Sequence, residues 1–188
     1  MKLKIHITLL FASFLLLAEA QIPRETQIEN ALLVLPQNLR NEATVLGYNA
    51  QNKVEVIREG SNHMICLADD PTKEGFSVAA YHKDLEPFMA RGRELKAQGK
   101  SFQEVFDTRE AEVKSGQLKM PDKATLIVVT GDLDENGSPT NTFMRYVVYI
   151  PFATSESTGL PEGPMSNGGP WIMNPGTHRA HIMITPPK

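Results

Sequence analysis

The sequence predicts an α+β fold, with a mostly antiparallel sheet and two or three helices in a single domain. Strand-like runs rich in valine, isoleucine and tyrosine lie toward both ends of the chain, whereas two helical segments lie together in its middle. Turn-forming residues separate neighbouring strand-like runs, as they do in antiparallel hairpins. A parallel α/β fold is not favoured, because it would require strands and helices to alternate along the chain.

A short first helix is predicted over residues 24–35. Ile28, Leu32 and Leu35 follow one another at intervals of three or four residues, which is the spacing of one helical face. Pro36 lies just past the end of this pattern, where a residue that cannot continue a helix is common.

Four strands are predicted after this helix. Residues 44–48 and 53–58 are rich in strand-forming side chains and flank a cluster of turn formers at residues 49–52, which indicates a β-hairpin. Residues 63–67 are expected to continue as a third strand. Residues 76–81 are expected to form a fourth, after an acidic break in the chain.

Two helices are predicted in the middle of the chain. The first begins with Asp84 as its N-cap and ends at Gly99. The second begins with a capping box, in which Ser101 and Glu104 each satisfy a free backbone amide, and ends near Gly116. The residues expected to face inward are Leu85, Phe88 and Met89 in the first helix and Phe102, Val105, Phe106 and Val113 in the second.

The remaining elements are two strong strands, a loop and a hairpin. Residues 126–130 and 144–150 have the strongest strand signals and are expected to pair near the centre of the sheet. Residues 153–169 are rich in Ser, Thr, Gly and Pro and predict a long surface loop. The chain then closes with a predicted hairpin of residues 171–173 and 179–185, joined by a turn that contains proline and glycine.

The first twenty residues predict an export signal. Two lysines precede an almost wholly apolar run over residues 5–18, and Ala18 and Ala20 are the small residues that a signal peptidase reads. The run is shorter than the roughly 20 residues that a membrane-spanning helix needs. We therefore expect residues 21–188 to form a single soluble domain that is exported to the periplasm or the cell exterior.

Composition argues against several kinds of partner. The formal net charge is −3 and no block of lysine or arginine occurs, so a nucleic-acid-binding surface is not indicated. Cys66 is the one cysteine, so no internal disulfide is expected, and it lies too far from residue 20 to carry a lipid anchor. No membrane anchor is expected, and no particular cofactor is indicated.

The predicted C-terminal hairpin holds the densest group of potential soft-metal ligands, since Met173, His178, His181 and Met183 lie within eleven residues. Thioether sulfur and imidazole nitrogen suit copper. Strand alternation places His181 and Met183 on one face, and Trp171 and Met173 on one face of the partner strand. The alternative is that the tryptophan and methionines fill a core while the histidine forms an internal hydrogen bond.

Cys66 and the loop around Asp132 are the other candidate sites. A nucleophilic Cys66 would need a nearby base and a lowered pKa, and the local sequence indicates neither, so a packed thiol is expected. Asp132 begins a run that matches the first half of a calcium-binding loop. Phe143 stands where the bidentate glutamate should be, so an ordinary acidic connection between two strands is expected.

Several blocks of the sequence stand out together: Arg58-Glu59-Gly60-Ser61-Asn62, Cys66, Asp70-Pro71, Gly131-Asp132, Thr140-Asn141, Gly168-Gly169-Pro170-Trp171-Ile172-Met173, Gly176-Thr177 and Ala180-His181-Ile182-Met183. They resemble a family of small exported bacterial proteins with no assigned activity. In that family a second cysteine stands near the position of Ala79 or Ala80 and can pair with the first, so its absence leaves Cys66 free. The resemblance implies a bacterial origin and an exported location, and it directs attention to His181 and Met183.

Three functions are compatible with these patterns. The first is a non-enzymatic module that binds a small molecule or a soft metal ion, such as copper, near the C-terminal hairpin. The second is an enzyme, hydrolase-like or other, that uses His181 as an acid or base together with Asp132 or Asn141. The third is a structural protein of the cell envelope, which would lack a concave site near the two hairpin histidines.

Overall fold

The computed structural model describes residues 22–187, so the export signal predicted over residues 1–20 lies outside the described residues. The chain forms one eight-stranded sheet with helices packed against both faces, which confirms the α+β class with a mostly antiparallel sheet. In this part of the chain no helix is long and apolar enough to cross a membrane.

The strands lie in the spatial order β2-β1-β3-β4-β5-β6-β8-β7. In chain order they are β1 (Thr44–Tyr48), β2 (Val54–Arg58), β3 (Met64–Leu67), β4 (Phe76–His82), β5 (Ala124–Leu133), β6 (Pro139–Tyr149), β7 (Trp171–Met173) and β8 (His181–Ile184). β1 and β3 are parallel, and every other neighbouring pair is antiparallel.

Both predicted hairpins and the predicted central pair are confirmed. β1 pairs with β2, β5 pairs with β6 along most of their length, and β7 pairs with β8. The closing hairpin joins the sheet through its second strand, because β8 also pairs with β6. β7 therefore lies at one edge of the sheet and β2 at the other.

The helices are α1 (Arg24–Leu32), α2 (Gln37–Arg40), α3 (Glu86–Ala97), α4 (Phe102–Lys114) and α5 (Ser155–Thr158), and a short 3₁₀ turn at Lys83–Leu85 precedes α3. The first helix thus ends three residues earlier than predicted. α5 lies within the stretch predicted to be a loop. The capping box at the start of α4 is confirmed, with both reciprocal hydrogen bonds between Ser101 and Glu104 present.

Two predictions about the middle helices are wrong. Asp84 does not cap α3, because the chain first makes the 3₁₀ turn, and there the ring of His82 accepts a hydrogen bond from the backbone N–H of Asp84. Phe102 does not face inward and is 70% exposed. It is the first residue of α4, and its ring lies beside the guanidinium of Arg179, 5.5 Å away, rather than in a core.

Each face of the sheet carries its own apolar core. α1 covers the first face, where the buried residues include Ala31, Val45, Cys66, Val78 and Val129. α3 covers the second face and packs against α4; the buried residues there include Tyr81, Leu85, Phe88, Leu126, Val147 and Tyr149. Because side chains alternate along a strand, Ala80 of β4 faces the first core and its neighbour Tyr81 faces the second.

Candidate functional site

The register of the β7–β8 hairpin brings three of the predicted ligands onto one face. Met173 lies directly opposite His181, and Trp171 lies directly opposite Met183. Residues opposite each other in an antiparallel pair share a face. Trp171 and Met173 of β7 therefore lie on the same face of the hairpin as His181 and Met183 of β8, which the sequence alone did not determine. Met183 packs against the second core, which places this face, here called the hairpin face, on the α3 side of the sheet.

His181 is held in one tautomer on the hairpin face. Its Nδ1 lies 2.6 Å from the backbone oxygen of Arg179, and a carbonyl oxygen can only accept, so Nδ1 carries the proton and donates it. The residue is 4% exposed, and burial lowers the pKa of His181 below its usual 6.5. At neutral pH the imidazole is therefore uncharged, and Nε2 retains its lone pair.

Aromatic side chains border His181 and Met183. The ring of Tyr149 on β6 lies beside His181, with 5.3 Å between the ring centroids. Trp171 is buried, and its indole Nε1 has no hydrogen-bond partner in the described chain. Trp171 also borders a cavity of about 280 Å³, lined further by Phe143, Met165 and the end of the chain near Pro186. A concave surface therefore begins beside the hairpin face.

His178, the fourth predicted ligand, is occupied by other contacts. It is fully buried, and its Nδ1 donates to Oε2 of Glu110 on α4 across 2.8 Å. Its ring meets Phe88 and Phe106 edge-on, at centroid distances of 5.6 and 4.8 Å. Burial is the main cause of its lowered pKa, so the ring is uncharged at neutral pH. His178 thus anchors the hairpin turn to α4.

Glu110 is ionised opposite this neutral histidine. Burial opposes ionisation, but hydrogen bonds from Lys114 and His178 outweigh it and hold the pKa of Glu110 at about 2. The backbone N–H of His178 also donates to Oε2, at 3.3 Å. Sequence reasoning missed Glu110, because nothing local to α4 marks it as the partner of a histidine 68 residues away.

Arg109, the residue before Glu110, adds a buried positive charge that the sequence also did not indicate. Its guanidinium lies 4.0 Å above the ring of Phe88, and Nη1 donates to the Phe88 backbone oxygen at 3.2 Å. Burial, followed by the charge of Arg179, lowers the pKa of Arg109 to about 10. Gly92 permits this position, since a Cβ there would lie 2.8 Å from Nη1. The charge of Arg109 also helps to keep His178 neutral.

Asp132 and Asn141 are not brought to His181. They lie at the turn end of β5 and β6, where Nδ2 of Asn141 donates to Oδ2 of Asp132 at 2.9 Å. His181 is next to Tyr149, which pairs with Ala124 at the opposite end of β5. Asp132 lies eight positions along β5 from Ala124, a distance of roughly 26 Å. The acid–base arrangement considered from the sequence therefore lacks its acidic partner.

Cys66 lies on the other face of the sheet from His181, opposite Ala80 of β4. It is fully buried, and burial raises the pKa of its thiol to about 12. We expect a disulfide reagent such as Ellman's reagent to leave the folded protein unmodified over hours and to modify one thiol per chain in guanidinium chloride. Absorbance of the released thiolate measures both reactions, and rapid modification of the folded protein would show that Cys66 is accessible.

Zinc is usually bound by His, Cys, Asp and Glu side chains. In the described part of the chain, no three such side chains lie close enough together to bind one metal ion. A metal site at the hairpin face would therefore depend on methionine sulfur. Comparison of the chain with family models, curated protein sequences and solved structures finds no match.

Proposed function

We propose that the protein is an exported binding module that holds a soft metal ion, copper(I), on the hairpin face. The main support is the strand register, which sets Met173 opposite His181 and Met183 two residues further along the same face. Opposite residues have Cβ atoms about 5 Å apart, and same-face neighbours along a strand are about 7 Å apart. Methionine has three rotatable bonds, so both thioethers can approach one ion beside the imidazole.

The donor atoms suit copper(I) better than harder ions. Thioether sulfur is a soft ligand that selects copper(I), and imidazole nitrogen also binds copper. His181 offers this nitrogen without first losing a proton, because the hydrogen bond to the Arg179 carbonyl fixes the proton on Nδ1. Such a bond to the second ring nitrogen is the usual way in which proteins orient a metal-binding histidine.

The surroundings of the hairpin face are apolar. Met183 packs against the second core and is partly buried, and His181 is almost fully buried, so the imidazole nitrogen is largely shielded from water. Calcium and magnesium prefer oxygen ligands. The proposed donors on the hairpin face are sulfur and nitrogen atoms, so these two ions fit the site poorly. The export signal predicted from the first twenty residues supports a location outside the cytoplasm.

Anaerobic competition with bicinchoninate, whose copper(I) complex is coloured, tests the proposal. We expect the purified protein to withdraw one equivalent of copper(I) from the chelator. Met173→Leu and Met183→Leu should each weaken binding at least tenfold, because leucine keeps the side-chain volume and removes the sulfur. His181→Phe should weaken it by at least as much.

Matched variants on other surfaces control for general effects. Met144→Leu removes a thioether that packs against the first core, and His63→Ala removes an exposed imidazole; both should bind copper(I) like the wild type. Circular dichroism verifies that every variant is folded. Equal affinity of the wild type and of the three hairpin-face variants would exclude this site.

A further inference from the structure

A second cavity lies between the start of α1 and the turn that joins β5 to β6. Its volume is about 520 Å³, within the range of sites that hold small organic molecules. Pro23 and Asn30 line it from the α1 side, and Leu133 and Asn136 line it from the strand turn. It shares no residue with the hairpin face, so its function does not depend on the proposed metal site.

Asp69, which follows β3, brings a buried carboxylate to this cavity. It is 9% exposed, and its Oδ1 accepts a hydrogen bond from the backbone N–H of Ser77 at 2.8 Å. Burial is the main reason that the pKa of Asp69 lies above its usual 3.8. Within residues 22–187 no lysine, arginine or histidine forms an ion pair with it.

Hydrogen bonds from the backbone of Ser77 and Asp70 favour the ionised form of Asp69, but no positively charged side chain within residues 22–187 pairs with it. Asp70 is a second acid that raises the pKa of Asp69 further, and Lys73 pairs with Asp70, at 3.7 Å, rather than with Asp69. Among the described residues that line the cavity, none is basic. Buried carboxylates are normally paired, because removing an ion from water is costly without a partner. A cation inside the cavity would supply that partner.

We propose that this cavity binds a small organic amine, with its ammonium group on the Asp69 carboxylate and its carbon skeleton against the apolar wall. Ile22, Pro23 and Leu133 form that wall. Side-chain amides of Asn30 and Asn136 also line the cavity, and their oxygens can accept the remaining ammonium hydrogens. A bare metal ion would contact only the polar groups of the cavity. An amine with a hydrocarbon body would contact both the Asp69 carboxylate and the apolar wall.

Titration of the ¹⁵N-labelled protein with phenethylamine, followed by NMR, tests the site. We expect saturable shifts of the amide signals of Asn30, Asp69 and Asn136. The neutral analogue 2-phenylethanol should bind at least tenfold more weakly, because it cannot form a charge-assisted hydrogen bond. Asp69→Asn should weaken phenethylamine binding at least tenfold and remove the preference for the amine over the alcohol.

Asp70→Asn is the matched control, since it removes a neighbouring carboxylate that does not line the cavity, and it should retain binding within about threefold. Leu133 lines the cavity and is partly exposed, so the larger side chain of Leu133→Trp should fill the cavity and block phenethylamine binding. This variant tests the location of the site even if Asp69→Asn does not fold. Equal binding of amine and alcohol by the wild type, or full binding by Leu133→Trp, would overturn the proposal.

Discussion

Replacing Phe88 with alanine should lower the free energy of unfolding by about 4 kcal/mol, a large fraction of the stability of a domain this size. The ring is fully buried and meets Tyr149 and His178 edge-on, at centroid distances of 5.9 and 5.6 Å. Its removal would leave a cavity in the second core and would also deprive the Arg109 guanidinium of the aromatic face it lies on. Urea unfolding followed by circular dichroism measures the loss.

Phe102→Ala provides the control for this variant. It removes the same side chain from a position that is 70% exposed, so the expected loss is below about 1 kcal/mol. The sequence alone assigns both phenylalanines to buried helix faces. Equal losses from the two substitutions would contradict the packing of α3 and α4 described above.

Replacing His178 with alanine should cost about 3 kcal/mol. The substitution removes a fully buried ring from between Phe88 and Phe106, and it deprives the Glu110 carboxylate of its histidine donor. Because this pair joins the hairpin turn to α4, the loss should appear as destabilisation of the whole domain. Urea unfolding at pH 7 measures it, and the exposed His63→Ala should change stability by less than about 0.5 kcal/mol.

In His178→Ala, the pKa of Glu110 distinguishes the loss of the hydrogen bond from the loss of packing, because only the hydrogen bond affects the ionisation of the carboxylate directly. In the folded wild type the pKa of Glu110 is about 2, below the usual 4.5. The unfolded chain takes up the proton first as the pH falls, so this stabilisation is complete above about pH 4.5 and is lost toward pH 2. In His178→Ala the pKa of Glu110 should rise toward 4.5, and the stability lost over that range should shrink. A carboxyl ¹³C titration of Glu110 by NMR checks this, and an unchanged pKa would contradict it.

Local signals were sufficient for most of the secondary structure. The two long strands β5 and β6 are dense in β-branched and aromatic residues, and turn formers separate the strands of both hairpins. The capping box of Ser101 and Glu104 is a reciprocal pair of hydrogen bonds within four residues, so sequence alone specifies it. Phe102 has the right spacing for a buried face, but at the first position of α4 it lies outside the packed part of the helix.

The candidate site could be predicted only in part, because it depends on register. Alternation alone placed His181 and Met183 on one face of β8. It could not place Met173 on that face, since a slip of one residue between β7 and β8 would turn every side chain of one strand to the other side. The contact between Glu110 and His178 joins segments 68 residues apart, and the cavity beside Asp69 is formed by three distant segments. No local sequence pattern predicts contacts between segments so far apart in the chain.

The position of β8 between β6 and β7 has a consequence for the order in which the fold can assemble. β8 follows β7 in the chain, yet it is the interior strand, and within residues 22–187 β7 pairs only with β8. Until residues 181–184 pair with it, β6 has an open edge, and such edges invite pairing between chains. The edge of the sheet next to His181 is therefore completed by residues near the end of the described chain.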